Sequence, residues 1–301
     1  MDTGYDIYRQ ELNESLYSRK GVDREIRAFV SEHTGKIEEC VQLINEYMSK
    51  SYYASKNLRV AQLHGLDIRE LAESILVGVA YFFKEELFAN AVAILAGRLG
   101  FSDKAEAATT VGELLAVMCN SDLFDIYHLQ KEGRKVASLY IKSRIKLPDS
   151  LIEAIERSTF LPPMVCKPLE LETNYCSGYL SIKESLILKK NHHDGDIALD
   201  VLNICNSVAL SLDTDFLSTV EEEPSFELDD RQKADNWMAF KRQSYQFYQL
   251  LAKQGNNFYL THKVDKRGRI YASGYHITTQ GSAFKKASIE LAKKEIVTGD
   301  L

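Results

Sequence analysis

The first half of the chain shows a helical pattern of hydrophobic and polar positions. Apolar side chains recur every three or four residues in four segments, and no proline interrupts the chain before Pro148. This periodicity predicts amphipathic helices that each bury one face. The four segments are 21–48, 67–83, 84–99 and 111–129. We therefore predict a mainly helical N-terminal region whose helices pack together as a bundle.

The pattern changes in the middle of the chain. Four of the five prolines fall within 147–188, and proline disfavours helix for itself and for the residue before it. We predict a short helix there, followed by extended chain with a hairpin at 176–188. An apolar stripe indicates that helix returns at 197–216. The acidic run 221–223, directly before Pro224, then predicts a linker.

A long amphipathic helix is predicted after this linker. Asp229 or Asp230 can cap its N-terminus, and Gly255 ends it after about Gln254. One side of the helix is apolar, whereas the other side carries long hydrogen-bond donors and no carboxylate. These donors are Arg242, Gln246, Gln249 and Lys253. Such a stripe is common on solvated helices, and it also suits contact with a phosphate backbone.

Charge is distributed unevenly along the sequence. The 301 residues are 45% hydrophobic and 27% charged, which is typical of a folded protein, and the net charge is −6. Residues 231–301 contain 13 basic and 5 acidic side chains, a net charge of +8, whereas the remainder carries −14. A basic end on an acidic chain indicates a polyanionic partner, and a solvated basic surface is an equal alternative.

Several classes of protein are disfavoured by the sequence. The five cysteines are widely spaced without a C-x-x-C pair, which argues against a disulfide framework and a zinc site. The N-terminus lacks the features of a signal peptide, and the longest apolar stretch, 75–83, is too short to span a membrane. Phosphate-binding glycine loops and a hydrolase triad are not found. We expect a cytoplasmic protein without a membrane partner.

One polar loop contains residue types that bind metals. It runs from Asn191 to Asp196 and includes His192 and His193. Adjacent histidines in an extended segment point to opposite faces, and no cysteine supports them. We therefore expect no metal site and predict that Asp194 or Asp196 caps the following helix.

The basic end contains a dense cluster of charges at a predicted turn. Two short strands, 258–260 and 269–272, are expected around it, followed by a helix at 282–294. Gly268 permits a positive φ or the close approach of another backbone, and Arg269 offers a planar fork to a phosphate. Asp265 could orient that fork. A basic hairpin turn without a ligand is the simpler interpretation.

The order of residues around this turn resembles the D-x-x-G-R segment of single-subunit, phage-type RNA polymerases, the family that includes the mitochondrial enzyme. The resemblance covers about residues 161–294. Besides Asp265–Ala272, it rests on Leu161–Pro168, Tyr175–Tyr179, Ala198–Ala209, Asn236–Arg242 and Thr279–Gly281, which occur in the family's order. Two departures are Lys266-Arg267 at the variable positions and Thr279 in place of a proline.

The resemblance implies contacts with nucleic acid. In that family the segment leads into the palm and helps to hold the template strand and the short RNA–DNA hybrid, which by position implicates Asp265, Gly268 and Arg269. Tyr271 lies on the same strand face as Arg269 and could offer its ring to a base or sugar. The full set of expected nucleic-acid-binding residues is Asp265, Lys266, Arg267, Gly268, Arg269, Tyr271, Lys286, Lys241 and Arg242.

The resemblance also implies a domain organisation. We predict a mainly α (α+β) fold with a mainly helical N-terminal domain at 1–220, a helical thumb at 221–257, and the first strands and helix of a polymerase palm at 258–301. The family's metal-binding aspartates follow this segment further along the chain, and Asp300 stands too soon after it to be the first of them. We therefore expect no catalytic residue here.

The expected function follows from this organisation. The sequence resembles the smaller, N-terminal subunit of a podophage RNA polymerase that is divided into two polypeptides. This implies a second subunit that carries fingers and palm, binds Mg²⁺ and nucleoside triphosphates, and completes a heterodimer on template DNA in the cytoplasm of the infected bacterial host. The alternative is a helical nucleic-acid-binding accessory protein without a role in polymerisation.

Overall fold

The computed structural model describes residues 4–130, 136–191 and 193–294. About 51% of the described residues lie in helices and about 11% in strands, which confirms the predicted mainly α (α+β) class. None of the helices among these residues is long and apolar enough to cross a membrane. All five cysteines are described, and each is a free thiol.

Twelve α-helices, two short 3₁₀ helices (Cys119–Ser121 and Leu188–Lys190) and seven strands are found in the described residues. The helices are α1 (Gly4–Tyr17), α2 (Arg19–Ser31), α3 (Thr34–Ser49), α4 (Ala54–Leu63), α5 (Ile68–Ala80), α6 (Phe88–Ala96), α7 (Lys104–Met118), α8 (Asp149–Arg157), α9 (Leu199–Asn206), α10 (Thr214–Thr219), α11 (Arg231–Lys253) and α12 (Ala283–Ala287). The strands are β1 (Glu86–Leu87), β2 (Phe124–Leu129), β3 (Ser138–Ser143), β4 (Leu210–Leu212), β5 (His262–Val264), β6 (Ile270–Ala272) and β7 (Ile289–Leu291).

The chain folds into two compact units. We call Val22–Ile155 the helical unit, and Met1–Gly21 together with Glu156–Leu301 the C-terminal unit. These borders describe packing, whereas the subdivision at 220 and 257 describes functional parts of a polymerase. That subdivision stays a prediction.

The helical unit buries a core between α2, α3, α5, α6 and α7. Ile37, Ile75 and Leu114 are among its fully buried side chains. Asp67 caps α5 by accepting a hydrogen bond of 3.0 Å from the backbone N–H of Glu70, and the helix predicted at 67–83 is confirmed over 68–80. A three-stranded antiparallel sheet of order β1-β3-β2 completes the unit.

Three predicted boundaries in this unit are wrong. The helix predicted at 111–129 ends at Met118, because 124–129 form β2 and pair with β3. The alternating residues of this segment fit a strand better than a helix. The helix predicted at 21–48 is divided between α2 and α3, and the one predicted at 84–99 begins only at Phe88, because Glu86 and Leu87 pair with β3.

The C-terminal unit joins α1 to the second half of the chain. Its main core surrounds Phe247, Leu251 and Phe258, which are buried between α11 and the strands. The long helix predicted after the linker is confirmed as α11, and the carboxylate of Asp230 accepts a hydrogen bond of 2.8 Å from the backbone N–H of Lys233 at its N-terminus.

A buried carboxylate connects α1 with a segment far along the chain. Glu14 accepts hydrogen bonds from the backbone N–H of Leu180 at 2.9 Å and of Ser181 at 2.7 Å, and from the Ser181 hydroxyl at 2.6 Å. The predicted hairpin at 176–188 is wrong, since part of its backbone bonds to Glu14 and the segment forms no strand.

Pairing between distant segments also shortens two predicted helices. The helix predicted at 197–216 ends at Asn206, and the one predicted at 282–294 ends at Ala287. The residues that follow form β4 and β7, which pair antiparallel with Leu210 opposite Leu291. The amide of Asn256 extends this arrangement by hydrogen bonds of 2.9 Å to both the N–H and the C=O of Leu212.

Candidate nucleic-acid interface

The predicted basic turn connects two short paired strands. β5 pairs antiparallel with β6, with Lys263 opposite Tyr271. The first strand begins at His262, so the prediction of a strand at 258–260 is displaced, although Phe258 and Tyr259 each form an isolated bridge. Gly268 adopts φ +81°, which is left-handed. This positive φ is one of the two alternatives that the sequence offered for this glycine, the other being the close approach of another backbone.

The carboxylate of Asp265 organises this turn. Its Oδ1 atom accepts hydrogen bonds from the backbone N–H of Arg267 at 2.8 Å and of Arg269 at 3.1 Å. Its Oδ2 atom accepts one from the Nε of Arg269 at 2.8 Å and one from the Tyr271 hydroxyl at 3.4 Å. The orienting role that the sequence suggested for Asp265 therefore has a direct geometric basis.

These bonds also change the acidity of the carboxyl group. Desolvation by itself raises the pKa of Asp265, but the hydrogen bonds from the backbone and guanidinium of Arg269 and the charge of that guanidinium outweigh it. The pKa of Asp265 therefore lies below its usual range, and the group is ionised at neutral pH. Reciprocally, the bond to Asp265 raises the pKa of Arg269.

The cations of the turn point into solvent. The side chain of Arg269 is 54% exposed and that of Arg267 is 73% exposed, whereas that of Asp265 is only 16% exposed. Lys266 is exposed as well. The carboxylate thus lies beneath three exposed cations, and the outer surface of the turn presents positive charge. Such a surface can neutralise phosphates.

The free edge of β6 is covered by an amide side chain. Gln280 accepts a hydrogen bond of 2.9 Å from the backbone N–H of Ala272 and donates one of 3.1 Å to the C=O of Ile270. It therefore replaces a neighbouring strand. A cavity of about 450 Å³ opens beside it and is lined by Arg269 and Tyr271 among others. The sequence indicated that the Gln280-Gly281 pair lies near the turn, but it did not predict that Gln280 covers the edge of β6.

The remaining predicted contacts lie on other elements. Lys241 forms an ion pair of 3.0 Å with Glu221, whereas Arg242 on the same helix is exposed. Lys286 is exposed on α12. Within the described residues, no hydrogen bond or ion pair joins these three cations to the turn. The structure therefore brings together the residues of 265–271 and leaves Lys241, Arg242 and Lys286 outside that network.

A buried histidine was missed by the sequence analysis. Nδ1 of His276 lies 2.7 Å from the Ser244 hydroxyl, and Nε2 lies 3.1 Å from the side-chain amide oxygen of Gln243. Desolvation, followed by the charge of Lys285, lowers the pKa of His276 to about 4. The neutral ring thus ties α11 to the segment after β6. The sequence did contain one signal of this contact, because the polar Ser244 interrupts the apolar side of α11.

The polar loop before α9 does not cap that helix. The N-cap position is Ala198, which provides no side-chain hydrogen bond, so the prediction of Asp194 or Asp196 at the N-cap is wrong. Instead, Asn174 bonds to the Gly195 carbonyl at 2.7 Å and to the Ile197 N–H at 3.0 Å. His192 lies outside the described residues, among which no cluster of three potential ligands could hold a metal ion.

Comparison with known proteins connects part of the chain with transcription. No family model matches the sequence. A probable DNA-directed RNA polymerase from Gelasinospora sp. (strain G114) is 30% identical over 156 aligned residues, which cover 47% of this chain. The chain spans 18% of the length of that relative. This partial similarity supports a role related to RNA polymerase.

Proposed function

We propose that this chain supplies a nucleic-acid-holding part of a DNA-directed RNA polymerase, in which the turn 265–271 grips the template DNA and the RNA–DNA hybrid. The observation that carries the proposal is the bond between Asp265 and the Nε of Arg269, combined with an Arg269 side chain that is 54% exposed. The side chain is held from below while its terminal region faces solvent. An arginine arranged in this way is prepared for a phosphate.

Each part of the turn has a distinct task in this proposal. Arg269 contacts a backbone phosphate with its planar fork, while Lys266 and Arg267 add positive charge. The Nε of Arg267 lies 3.6 Å from Oδ2 of Asp265, so the same carboxylate pairs with both arginines. Apart from Gly268 and its chain neighbours, no atom of the described residues lies within 4 Å of the position that a Cβ would take there, so a strand can approach the backbone. The ring of Tyr271 is available to a base or sugar.

We further propose that a second polypeptide carries the fingers, most of the palm and the nucleotidyl transfer. In this proposal, the second polypeptide supplies the carboxylates that hold the two Mg²⁺ ions needed for that chemistry. One edge of β7 is unpaired among the described residues, and Leu291 on this strand is 60% exposed. An open edge of this kind can accept a strand from another chain.

The proposal is tested by purifying the protein together with the proteins that bind to it in the cell. A tagged copy is produced in the infected bacterial host and captured, and the proteins bound to it are identified by mass spectrometry. We expect a second polypeptide and a complex that extends an RNA primer on a template with Mg²⁺ and nucleoside triphosphates. The chain purified alone should bind the RNA–DNA hybrid and extend nothing.

Two other outcomes are informative. Extension of the primer by the highly purified chain alone would contradict the division into two polypeptides. Binding of the hybrid without recruitment of a second polypeptide would favour the accessory role over a polymerase subunit.

A further inference from the structure

Helix α1 turns its polar side to the interior of the C-terminal unit and its apolar side to solvent. Gln10, Asn13 and Glu14 are its buried residues, and each is at most 2% exposed. Four apolar side chains lie on the opposite side of the helix and are 37–66% exposed. We call them the α1 stripe: Tyr5, Tyr8, Leu12 and Leu16. An amphipathic helix of a folded protein normally has the reverse arrangement.

Hydrogen bonds of the polar side attach α1 to its unit. Asn13 donates to the side-chain oxygen of Gln254 at 2.9 Å, and the side-chain oxygen of Gln10 accepts from the backbone N–H of Val165 at 2.9 Å. The bonds of Glu14 to Leu180 and Ser181 complete this attachment. Among the described residues, no side chain of the α1 stripe belongs to an apolar core. Folding of the unit therefore does not account for the α1 stripe, and an exposed apolar surface of this kind marks an interaction site.

The spacing of the α1 stripe suits contact with another helix. Its members are three or four residues apart, so they align along one side of α1, as in helices that pack against a helical partner. Tyrosine is also enriched at protein interfaces. The guanidinium of Arg9 lies 4.8 Å from the centroid of the Tyr5 ring and covers part of it, whereas Tyr8 is 60% exposed. Tyr8 and Leu12, at the centre of the stripe, are therefore the expected anchors.

A groove of about 840 Å³ begins where the α1 stripe ends. Residues 17–20, which directly follow Leu16, form one of its walls. Four cations and one carboxylate line it, and the carboxylate, Glu184, is paired with Lys263 at 2.6 Å. Even when the buried Glu14 behind this wall is counted, positive charges outnumber negative ones. We call it the basic groove, and its cations are Arg19, Lys20, Lys183 and Lys263.

A ligand that spans both surfaces has to combine apolar side chains with negative charge. Four side chains on one helix cover much less than the roughly 800 Å² that each partner of a standard interface buries, so contact with a second surface is needed. A nucleic acid has no aliphatic side chains to lie along the α1 stripe, and a second copy of this chain would bring the same positive charge to the basic groove. A protein helix with one apolar side, followed by acidic residues, complements both surfaces.

We propose that the α1 stripe and the basic groove together dock an acidic amphipathic helix of another polypeptide. Its apolar side packs on Tyr8 and Leu12, and the carboxylates that follow it contact Lys20 and Lys183. This inference rests on the proposed function for the identity of that polypeptide, namely the second chain of the polymerase, but it involves neither Arg269 nor the edge of β7. It assigns to α1 a role in the assembly of the complex.

The apolar contact is tested with two synthetic peptides and the full chain. Both peptides are fluorescein-labelled helices whose leucines recur every three and four residues, one with a tail of glutamates and one with a tail of glutamines. Tyr8→Ala combined with Leu12→Ala should bind both peptides at least about tenfold more weakly. Leu58→Ala combined with Ile94→Ala removes exposed apolar side chains from the helical unit and should bind as the unchanged protein does. Thermal unfolding establishes that each variant is folded, and equal affinities of the two double variants would overturn the role of the α1 stripe.

The charge contribution is tested with the same peptides. Lys20→Gln combined with Lys183→Gln should weaken binding of the glutamate-tailed peptide about three- to tenfold at low salt and leave the glutamine-tailed peptide unaffected. Lys104→Gln combined with Lys142→Gln removes two exposed cations from the helical unit and should change neither affinity. If the unchanged protein does not prefer the glutamate tail, the basic groove is not part of the docking surface. Tighter binding of single-stranded RNA than of the glutamate-tailed peptide, lost in the groove variant, would assign the groove to nucleic acid instead.

The identity of the occupant is tested by photo-cross-linking in the infected host. Tyr8→p-benzoyl-phenylalanine in the tagged full chain should cross-link to a helical segment of the second polypeptide that has one apolar side and acidic residues after it. The same replacement at Tyr175, which is 65% exposed in the same unit, should not reach that segment. A cross-link from position 8 to a second copy, or to another part of this chain, would overturn the proposal. If no second polypeptide is captured, the division of the polymerase is wrong, whereas the peptide measurements still decide whether this surface binds an acidic helix.

Discussion

Arg269 is held by Asp265 through a hydrogen bond of 2.8 Å between Nε and Oδ2, while Oδ1 of the same carboxylate fixes the backbone of the turn. One side chain therefore determines both the course of the chain and the direction of the guanidinium. An arginine that is oriented before it meets a phosphate loses less conformational freedom on binding than a flexible lysine. This relationship predicts that Arg269 and Asp265 differ in the size of their contributions to binding.

Substitution of Arg269 should weaken the hold on nucleic acid even when the charge is kept. Arg269→Lys loses the planar fork and the Nε donor, and we expect affinity for an RNA–DNA hybrid to fall about tenfold, with a larger loss for Arg269→Ala. Arg231→Lys is the matched control, because this arginine is 96% exposed. Fluorescence anisotropy with labelled hybrid measures the effect. Equal affinities for Arg269→Lys and Arg231→Lys would remove the role assigned to the fork.

Asp265→Asn should cause a milder form of the same defect. The amide oxygen can still accept the two backbone N–H groups, but the amide nitrogen cannot accept from the Nε of Arg269. We expect a loss of a few-fold in hybrid affinity, smaller than that of Arg269→Ala, since the guanidinium remains present but less ordered. The ¹H–¹⁵N signal of the Arg269 Nε should move toward that of a solvated arginine. A loss as large as that of Arg269→Ala would mean that Asp265 acts other than by orienting Arg269.

The turn and α11 were predictable because their determinants are local. The sequence Asp265-x-x-Gly268-Arg269 contains its own acceptor, its left-handed residue and its donor within five positions. Likewise, Asp230 and the periodic apolar side of α11 lie within the helix that they define. Where hydrogen bonds join residues that are close in sequence, the sequence pattern is sufficient.

The parts of the fold that the sequence did not predict depend on partners that are distant in the chain. β4 and β7 are separated by more than seventy residues, and Leu212 is bonded by Asn256, so helical periodicity alone predicted helices at both strands. The Glu14 bonds to Leu180 and Ser181 are equally invisible to a local pattern.

Gly268 should resist substitution for a backbone reason. At φ +81° an L-residue is strained, although within the described part of the chain only its own neighbours in sequence come within 4 Å of the place where its Cβ would stand. Gly268→Ala should therefore reduce the free energy of unfolding of the turn by about 1–2 kcal/mol without a steric clash. Gly195→Ala, also in open space but without a positive φ, is the control and should have little effect. Hydrogen exchange at the Arg269 amide measures the local change; equal exchange in both variants would contradict this account.

Loss of the Glu14 charge should destabilise the C-terminal unit. Glu14→Gln places an amide N–H₂ among donors from Leu180 and Ser181, so at least one bond to a charged acceptor is lost. We expect the free energy of unfolding to fall by about 1.5–3 kcal/mol. Trp237, the single tryptophan, lies in this unit and reports its unfolding in urea. Glu11→Gln, at an exposed position of the same helix, should unfold as the unchanged protein does.

The buried His276 should make the C-terminal unit sensitive to acid. The side-chain Oε1 of Gln243 can only accept, so Nε2 of His276 donates to it. In the neutral ring Nδ1 then carries no proton, and it faces the Ser244 hydroxyl at 2.7 Å. Burial lowers its pKa in the folded protein to about 4, below the usual 6.5 that applies after unfolding. Between these values the unfolded chain binds a proton that the folded chain does not. The stabilisation is therefore complete above about pH 6.5 and is lost as the pH falls toward 4.

The size of this effect follows from the shift. Between pH 7 and pH 5 the His276 contribution should lower the free energy of unfolding by about 2 kcal/mol, at up to about 1.4 kcal/mol per pH unit. His276→Gln should be less stable at pH 7 but should lose less stability over the same interval, because the group that titrates is absent. His64→Gln, at an exposed histidine of the helical unit, should keep the pH dependence of the unchanged protein. Urea titrations followed by Trp237 fluorescence at several pH values measure these slopes, and parallel pH profiles for His276→Gln and the unchanged protein would show that His276 does not titrate on unfolding.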